Sequence, residues 1–297
     1  MIQYLYLGRV GYDAALRLQD ELIALRIAGR IENILLLLEH PPVLTLGRNA
    51  NRSNVLASDE LLAQRGVTLH EINRGGDVTY HGPGQLIGYP IFDLRSLRNT
   101  NGARLGPVDF VRLMEEALIR VCAEHGVAAG RICGLTGVWC APEGKTLEAS
   151  CGTMLGASRD EPKGERKIAA IGIHVSRGVT SHGFAFNLTT DLSDFLLINP
   201  CGITDRPVTS LELELKRRND ERALPSLEAM AQQTARQFGT VFGEHVLALE
   251  NLDALRASAA AKVEETPVPS FPAQDTPLQI PREVERLHTP KDRPLKA

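Results

Sequence analysis

The sixteen residues from Arg74 to Tyr89 hold the most unusual mixture of residue types in the chain. This segment, RGGDVTYHGPGQLIGY, places five glycines among Arg, Asp, Thr, Tyr, His and Gln. Glycine allows a backbone to approach a ligand closely and exposes its N–H groups. The segment therefore predicts a ligand-binding loop, and the alternative is a glycine-rich hairpin without a ligand.

Two nucleotide-binding motifs are excluded by spacing. Gly82-x-Gly84 is followed by Ile87 where a dinucleotide fingerprint needs Gly or Ala. Gly144-Lys-Thr ends like a phosphate-binding loop, but Trp139 stands where the first glycine of that motif belongs. Neither segment therefore predicts a nucleotide site.

The five cysteines supply the candidate nucleophiles, since no serine lies in a Gly-x-Ser-x-Gly elbow. Cys122 falls within an apolar helical stripe and is interpreted as a small core residue. Cys133, Cys140 and Cys151 form no C-x-x-C pair, which disfavours zinc. A proline before Cys201 and a glycine after it form a turn that can present a thiol from a fixed backbone. Cys201 is thus a candidate nucleophile, and the alternative is a structural turn cysteine.

Lys167 stands at the start of the apolar run KIAAIGIH. A lysine there is either a solvated strand-end charge or a partner for a thiol. A free thiol has a pKa of about 8.5 and is only a few per cent thiolate at neutral pH. Lowering that pKa by roughly 1.5 units requires about 2 kcal/mol. An ammonium about 4 Å away supplies on the order of 4 kcal/mol, so Lys167 could activate Cys201 if the two faced each other.

Three histidines, His81, His174 and His182, are candidate bases, and each has an alternative role in packing or hydrogen bonding. His182 lies in the segment SHGFAFN, which mixes polar and small residues beside an apolar strand. That mixture predicts a wall of a pocket.

Apolar periodicity predicts the elements that must position these residues. Spacings of three and four residues predict helices, and short apolar runs predict buried strands. The predicted helices cover Gly11 to Arg26, Pro107 to Gly126, and a last helix beginning at Ser226, and the predicted strands cover Ile34 to Leu38, Val43 to Leu46, Ile168 to Ser176 and Gly183 to Leu188.

Composition limits the class of protein. The 297 residues carry a formal charge of −3, which argues against a nucleic-acid partner. The longest apolar run is too short to cross a membrane, and the start lacks the pattern of a secretion signal. Cysteine usage fits a reducing cytoplasm with free thiols. Residues 141–166 are interpreted as an exposed loop, and the proline-rich residues from Asp253 onward as a disordered tail.

Several segments together resemble the signature of the lipoyl(octanoyl) transferases. The glycine-rich segment 74–89 is followed, in the order of that family, by GLTGVW at 134–139, KIAAIG at 167–172, HGFAFN at 182–187 and NPCG at 199–202. The 34-residue step from Lys167 to Cys201 fits as well. The resemblance covers roughly residues 1 to 250, and it departs from the family in the loop 141–166 and in the tail.

The resemblance implies an α/β (α+β) fold with a mixed β-sheet flanked by helices, like the catalytic domain of biotin and lipoate protein ligases. It implies a catalytic domain at residues 1–252, with the loop at about 141–166 as an insertion, and a proline-rich tail at 253–297. It also implies catalytic roles for Cys201 and Lys167. The substrate-binding residues that it implies are Arg74, Gly75, Gly76, Asp77, Val78, Thr79, Tyr80, His81, Ala170, Ile171, Gly172, Gly183, Phe184 and Ala185.

In the reaction that the resemblance implies, Cys201 takes an octanoyl group from octanoyl-acyl carrier protein. The group then passes to a lysine on the lipoyl domains of 2-oxoacid dehydrogenase complexes and on the glycine cleavage H protein. Lys167 would stabilise the thiolate and help deprotonate the acceptor lysine. No metal, nucleotide, nucleic acid or membrane is expected to take part. Because acyl carrier proteins are typically acidic, Arg48, Arg52, Arg74 and Arg95 are candidates for basic residues at the site mouth.

Three other functions remain open at this point. An ATP-dependent lipoate or biotin ligase typically has a third consecutive glycine where this chain has Asp77, and it needs no cysteine like Cys201. A non-catalytic protein that binds acyl carrier protein or lipoyl domains is the second alternative. A cysteine hydrolase is the third, and it would admit water to the acyl-enzyme.

Overall fold

The computed structural model describes residues 1–99, 101–142, 147, 164–200 and 206–264. In chain order the strands are β1 (Ile2–Arg9), β2 (Asn33–Glu39), β3 (Val43–Leu46), β4 (Thr68–Glu71), β5 (Val78–His81), β6 (Gln85–Ile91), β7 (Ala129–Ile132), β8 (Leu135–Cys140), β9 (Arg166–Ser176), β10 (Val179–Asn187) and β11 (Val246–Ala248). The helices are α1 (Tyr12–Ile27), α2 (Asp59–Gln64), α3 (Pro107–Glu124), α4 (Leu211–Arg217), α5 (Leu227–Phe242) and α6 (Leu252–Glu264).

Most of the strands form one mixed sheet in the order β11-β1-β2-β6-β10-β9-β8-β7. β1 is parallel to both of its neighbours, whereas β6, β10, β9 and β8 pair antiparallel in succession. A second sheet of three strands has the order β4-β3-β5. The prediction of a mixed sheet flanked by helices is confirmed.

The leucine-rich strand β2 shows why both faces of the large sheet need cover. All seven of its residues are buried, and alternate side chains enter different cores because a strand points successive side chains to opposite faces. Leu35 and Leu37 pack in a core with α3 and α5. Ile34 and Leu36 pack in a core with α1 and α6. Helices on both faces therefore exclude water from a strand that has no polar side.

Local signals explain where the helices begin and end. Tyr12, Ala15, Leu18 and Leu22 lie buried along one side of α1 at spacings of three and four. Pro107 occupies the first turn of α3, where its missing N–H costs no hydrogen bond. The Ser226 side chain accepts a hydrogen bond from the Ala229 N–H at the start of α5, and Gly243 ends that helix in the left-handed conformation. These predicted helices are confirmed, as are the predicted strands.

The prediction of a disordered tail from Asp253 is wrong for the twelve residues up to Glu264. This stretch belongs to α6, and Leu255 and Ala259 are buried against the α1 side of the sheet. The compact unit extends to Val263 rather than ending at residue 252. The proline content of the region misled the prediction, because the prolines all lie beyond α6. Residues 265–297 lie outside the described residues, as do most of the residues in the loop 141–166.

The expectation of free thiols needs one correction. Cys122 and Cys140 are free and buried, as a core role requires. Cys133, however, is disulfide-bonded. Spacing along the sequence does not show which sulfurs the fold brings within bonding distance. None of the described helices is long and apolar enough to span a membrane.

Burial of Leu255 predicts that α6 contributes to stability. We expect Leu255→Ala to lower the free energy of unfolding by about 2–5 kcal/mol, because it removes a leucine side chain that is only 1% exposed. Urea denaturation measures this change. Leu196→Ala is the control, since Leu196 is 78% exposed, and we expect it to change stability by less than about 0.5 kcal/mol. Equal stability of Leu255→Ala and the unaltered chain would contradict the packing of α6.

Candidate active site

A cavity lies on the α1 face of the large sheet, above β9 and β10. Its floor consists of four small residues that face the same way in two adjacent rows. Gly172 is paired with Gly183, and Ala170 is paired with Ala185. Larger side chains in these rows would fill the space above the sheet, so the small residues create the cavity.

The glycine-rich loop covers this floor at very close range. The Gly75 N–H donates a 3.0 Å hydrogen bond to the Ile173 carbonyl. A Cβ atom on Gly172 would lie 2.6 Å from the Gly75 carbonyl oxygen, and one on Gly183 would lie 2.1 Å from the Gly88 carbonyl oxygen. Both contacts are shorter than real side chains tolerate. Glycine at 172 therefore allows the loop to rest on the sheet, and glycine at 183 allows two strands to approach.

Strand β5 forms the next wall of the cavity. Because successive side chains of a strand point to opposite sides, the predicted substrate-binding residues on β5 fall into two groups. Thr79 and His81 line the cavity. Val78 and Tyr80 lie between them in sequence and point to the opposite side, where they join a separate core with Phe195. The Tyr80 hydroxyl donates a 2.8 Å hydrogen bond away from the cavity, to a carboxylate on the 3-10 turn that holds Phe195.

Asp77 also lies outside the cavity lining, and its carboxylate instead forms hydrogen bonds with the loop that contains Asn51 and Asn54. Its carboxylate accepts hydrogen bonds from the Asn51 N–H at 3.1 Å, the Val78 N–H at 2.8 Å and the Asn54 amide at 2.5 Å. The structure therefore does not bring Asp77, Val78 or Tyr80 to the cavity wall. Sequence reasoning treated residues 74–81 as one wall, although a strand presents only every second side chain to one side.

The remaining predicted binding residues do come together around the cavity, joined by three further side chains. The lining is Tyr12, Arg74, Gly75, Gly76, Thr79, His81, Tyr89, Ala170, Ile171, Gly172, His182, Gly183, Phe184 and Ala185. Sequence reasoning missed Tyr12 altogether. The available signal was its position three residues before Ala15, which extends the buried stripe of α1 to its first turn.

Arg74 places a guanidinium in the wall while its own geometry is tightly fixed. It donates hydrogen bonds to the carbonyl and hydroxyl oxygens of Thr45 at 2.8 and 2.9 Å, and to the Gly75 carbonyl at 3.0 Å. The residue is only 8% exposed. A buried cation held in this way gives the cavity a positive potential on one side.

A chain of buried amides determines the tautomer of His81. The Asn187 amide donates to the Thr209 carbonyl at 3.0 Å, so the Asn187 Oδ1 atom is an acceptor. The Gln85 amide donates to that oxygen at 2.8 Å and to the Tyr80 carbonyl at 3.2 Å, so the Gln85 Oε1 atom is also an acceptor. His81 Nδ1 lies 2.9 Å from Gln85 Oε1 and must therefore carry the proton. The other ring nitrogen, Nε2, is left with a lone pair.

Burial keeps three histidines of this region neutral. Desolvation lowers the pKa of His81 to about 3, with the nearby His40 adding to the effect. Desolvation likewise lowers the pKa of His40 to about 4, although its hydrogen bond to the Val10 carbonyl acts in the opposite direction. The pKa of His182 falls to about 4 through desolvation and the charge of Arg74. All three rings are therefore uncharged near neutral pH.

Lys167 lies on the same strand as the floor, three residues before Ala170, and does not line the cavity. Its side chain is buried, and its Nζ atom lies 4.7 Å from the centre of the Trp139 ring, a distance suited to a cation–π contact. Its backbone is held on both sides, because its N–H donates to the Pro207 carbonyl at 2.9 Å and its carbonyl accepts from the Thr209 N–H at 2.8 Å. The position of this lysine is therefore fixed by the segment that follows residue 205.

Cys201 itself lies outside the described residues, but the chain on either side of it is anchored. The Asn199 N–H donates a 2.7 Å hydrogen bond to the Asn54 carbonyl. The described chain resumes at Arg206, and Val208 then forms a parallel bridge with Lys167. The residues that flank this segment are thus attached to the 3-10 turn at Arg52–Asn54 on one side and, on the other, to β9, the strand that carries part of the cavity floor.

The four arginines predicted at the site mouth occupy different environments. Arg74 is buried in the cavity wall, as described above. Arg52 forms a 2.8 Å ion pair with Asp59, and Arg95 forms one with Asp93 at the same distance. Arg48 is exposed, and its N–H donates to the Arg74 carbonyl. Among the described residues, no group of three or more His, Cys, Asp or Glu side chains could hold a metal ion.

Comparison with known proteins gives the family. The profile described as "Lipoyl protein ligase A/B catalytic domain" matches residues 11–239. The chain is 58% identical to an octanoyltransferase of Acidobacterium capsulatum over 252 residues, which cover 84% of this chain and 94% of that protein. It is 48% identical to an octanoyltransferase of Koribacter versatilis over 288 residues, which cover 97% of each protein.

Solved structures share the fold at much lower identity. A bipartite lipoate protein ligase from Thermoplasma acidophilum superposes with a TM-score of 0.58 at 16% identity, covering 89% of this chain and 93% of that one. A lipoate-protein ligase A bound with ATP superposes with a TM-score of 0.57 at 14% identity, covering 89% of this chain and 95% of that one. These likenesses confirm the predicted ligase-like architecture. The profile match and the high identity to octanoyltransferases show that this chain is an acyltransferase and belongs to the lipoyl protein ligase A/B catalytic-domain family.

Proposed function

We propose that this chain transfers an octanoyl group from octanoyl-acyl carrier protein to a lysine of lipoyl domains, through a thioester on Cys201. The acceptors would be the lipoyl domains of 2-oxoacid dehydrogenase complexes and the glycine cleavage H protein. The observation that carries the proposal is the cavity floored by Ala170, Gly172, Gly183 and Ala185, in a chain with octanoyltransferase relatives. Such a floor leaves room for a chain of methylenes above the sheet.

In the first half-reaction, the Cys201 thiolate attacks the carbonyl carbon of the octanoyl thioester. The bond between the new sulfur and carbon forms, and the pantetheine sulfur leaves with the electron pair of the old bond. The leaving sulfur then takes a proton from the Lys167 ammonium, which neutralises its negative charge and leaves Lys167 as a neutral amine. Lys167 supports this step because its fixed ammonium would stabilise both thiolates.

In the second half-reaction, the ε-amine of the acceptor lysine attacks the acyl-enzyme. This amine must first lose a proton, since a lysine of pKa about 10.4 is almost fully protonated at neutral pH. The neutral Lys167 amine accepts that proton and becomes an ammonium again. Formation of the amide releases a second proton from the attacking nitrogen to solvent and expels the Cys201 thiolate, which returns the enzyme to its starting state. Division into two steps lets two large protein substrates use one site in turn.

The proposed chemistry requires no metal and no nucleotide, because a thioester is already activated toward an amine. This requirement distinguishes the proposal from a ligase, which must first form an acyl-adenylate. Lys167 and the acyl cavity would serve either reaction, whereas only the transferase needs Cys201.

The first prediction concerns the covalent intermediate. We expect the unaltered protein, mixed with octanoyl-acyl carrier protein without ATP, to gain the mass of one octanoyl group that hydroxylamine removes. Cys201→Ser should gain none in the same interval, since an alkoxide forms far less readily than a thiolate. Intact-protein mass spectrometry measures both. Labelling that requires free octanoate and ATP would instead identify a ligase.

The second prediction concerns the role of Lys167. We expect Lys167→Ala to raise the pKa of the Cys201 thiol, which shifts the pH profile of its alkylation by iodoacetamide about one unit upward. Lys167→Arg is the matched control, because it retains a positive charge and should show a smaller shift. Peptide mapping after alkylation separates Cys201 from the other cysteines. Superimposable profiles for the unaltered protein and Lys167→Ala would contradict the pairing.

The third prediction concerns acid stability. A histidine with a folded pKa of about 4 and an unfolded pKa of about 6.5 binds fewer protons when folded, so stability falls as the pH drops from about 6.5 toward 4. One such group accounts for on the order of 3 kcal/mol. Urea denaturation at several pH values should show this loss. The free energy of unfolding should depend less steeply on pH in His182→Asn than in the unaltered protein. His245→Gln is the control at an exposed histidine, and equal slopes in all three proteins would contradict the buried neutral state of His182.

A further inference from the structure

A second concavity adjoins the cavity along α1, and we call it the α1 groove. It is bounded by Leu16, Gln19 and Ile23 of α1, by Asn73, and by His174 and Ser181 of the sheet. Among the described residues, His182 alone lines both this groove and the cavity. His182 is therefore the boundary between the two spaces.

The His182 side chain is fixed at this boundary by contacts on both sides of the residue. Its Nε2 atom lies 2.7 Å from Asn73 Oδ1, and its backbone N–H donates a 2.8 Å hydrogen bond to Gln19 Oε1. Its φ angle of 56° lies in the left-handed region, which residues other than glycine adopt infrequently. A contact between an imidazole and an amide thus lies at the boundary between the cavity and the groove.

Two observations place the groove at the end of the cavity that is remote from the proposed chemistry. Along β9, Lys167 precedes the floor residues, and His174, which lines the groove, follows them. An extended strand places His174 about 23 Å from Lys167. In the loop that joins β4 to β5, Asn73 lies at the groove. Asp77, at the other end of that loop, binds Asn54, whose carbonyl receives the N–H of Asn199.

We infer that the contact between His182 and Asn73 is the end wall of the acyl cavity and limits the length of the acyl chain that the protein accepts. This inference rests on the proposed function, because it takes the thioester to lie at the Lys167 end. An octanoyl chain would then run over Ala170 and Gly172 toward His182. A longer chain would meet the imidazole ring, although the α1 groove beyond it offers the apolar surface of Leu16 and Ile23.

The test measures transfer from octanoyl-, decanoyl-, dodecanoyl- and tetradecanoyl-acyl carrier protein to a lipoyl domain. In the unaltered protein we expect kcat/KM for the dodecanoyl substrate to fall at least about tenfold below that for octanoyl. His182→Gly should bring the two values to within about threefold, because it opens the cavity into the groove. Glycine suits this position, since it adopts a positive φ readily and keeps the N–H that Gln19 accepts.

Matched variants distinguish the loss of the end wall from a general disturbance of the site. His182→Gln retains bulk and a donor for Asn73, so its chain-length profile should stay close to that of the unaltered protein. His174→Ala removes a histidine that lines only the groove and should leave the profile unchanged. Asn73→Ala releases the ring without altering β10 and should relax the preference in the same direction as His182→Gly. It serves as the deciding variant if His182→Gly does not fold.

The outcomes distinguish this inference from the proposed function. If the protein transfers octanoyl but neither His182→Gly nor Asn73→Ala changes its chain-length profile, the end-wall inference is wrong. The transferase proposal would still stand. A flat profile in the unaltered protein would also overturn the end wall. Absence of octanoyl transfer from the acyl carrier protein in the unaltered protein would overturn the proposed function itself.

Discussion

The close contact between the glycine-rich loop and strand β9 is the constraint on which the candidate site depends. The Gly75 N–H binds the Ile173 carbonyl, and the absence of a Cβ at Gly172 lets the Gly75 carbonyl approach the strand. A cavity forms only because this loop is held close above a floor of small residues. A single methyl group at Gly172 would push the loop and the sheet apart, since the atom that it would meet belongs to the backbone.

A network of buried polar groups gives the site its second constraint. Amide side chains from β6 and β10 connect His81 to the Thr209 carbonyl, and the Thr209 N–H binds the Lys167 carbonyl. Buried amides of this kind are costly unless each donor and acceptor is paired, so the network permits only one arrangement of its members. It fixes the His81 tautomer and, through the same segment, the backbone position of Lys167. The cavity wall and the candidate catalytic lysine are thereby joined by one continuous network of hydrogen bonds.

Local patterns were sufficient to predict three of the six helices and four of the eleven strands in the described part of the chain. The leucine run of β2, the stripe of α1 and the Ser226 cap of α5 each carry their own physical signal, and each element is present. The prediction of a disordered tail was wrong for α6, because composition was averaged over α6 and the proline-rich residues that follow it. Proline-rich residues beyond 264 gave the appearance of disorder to a stretch in which Leu255 and Ala259 in fact face the core. A helix stabilised mainly by tertiary packing gives little local signal of its own.

The sequence by itself determined the chemistry-bearing segments, because these depend on residue types and short spacings along the chain. The resemblance that those segments carry then implied the family and the class of fold. Only the tertiary structure decided which residues meet. The pleat of β5 turned Thr79 and His81 toward the cavity and Val78 and Tyr80 away from it. The first turn of α1 brought Tyr12 into the lining. His182 became a boundary between two spaces because packing against α1 and Asn73 stabilises its left-handed backbone. Such contacts join residues distant in sequence, so no local pattern encodes them.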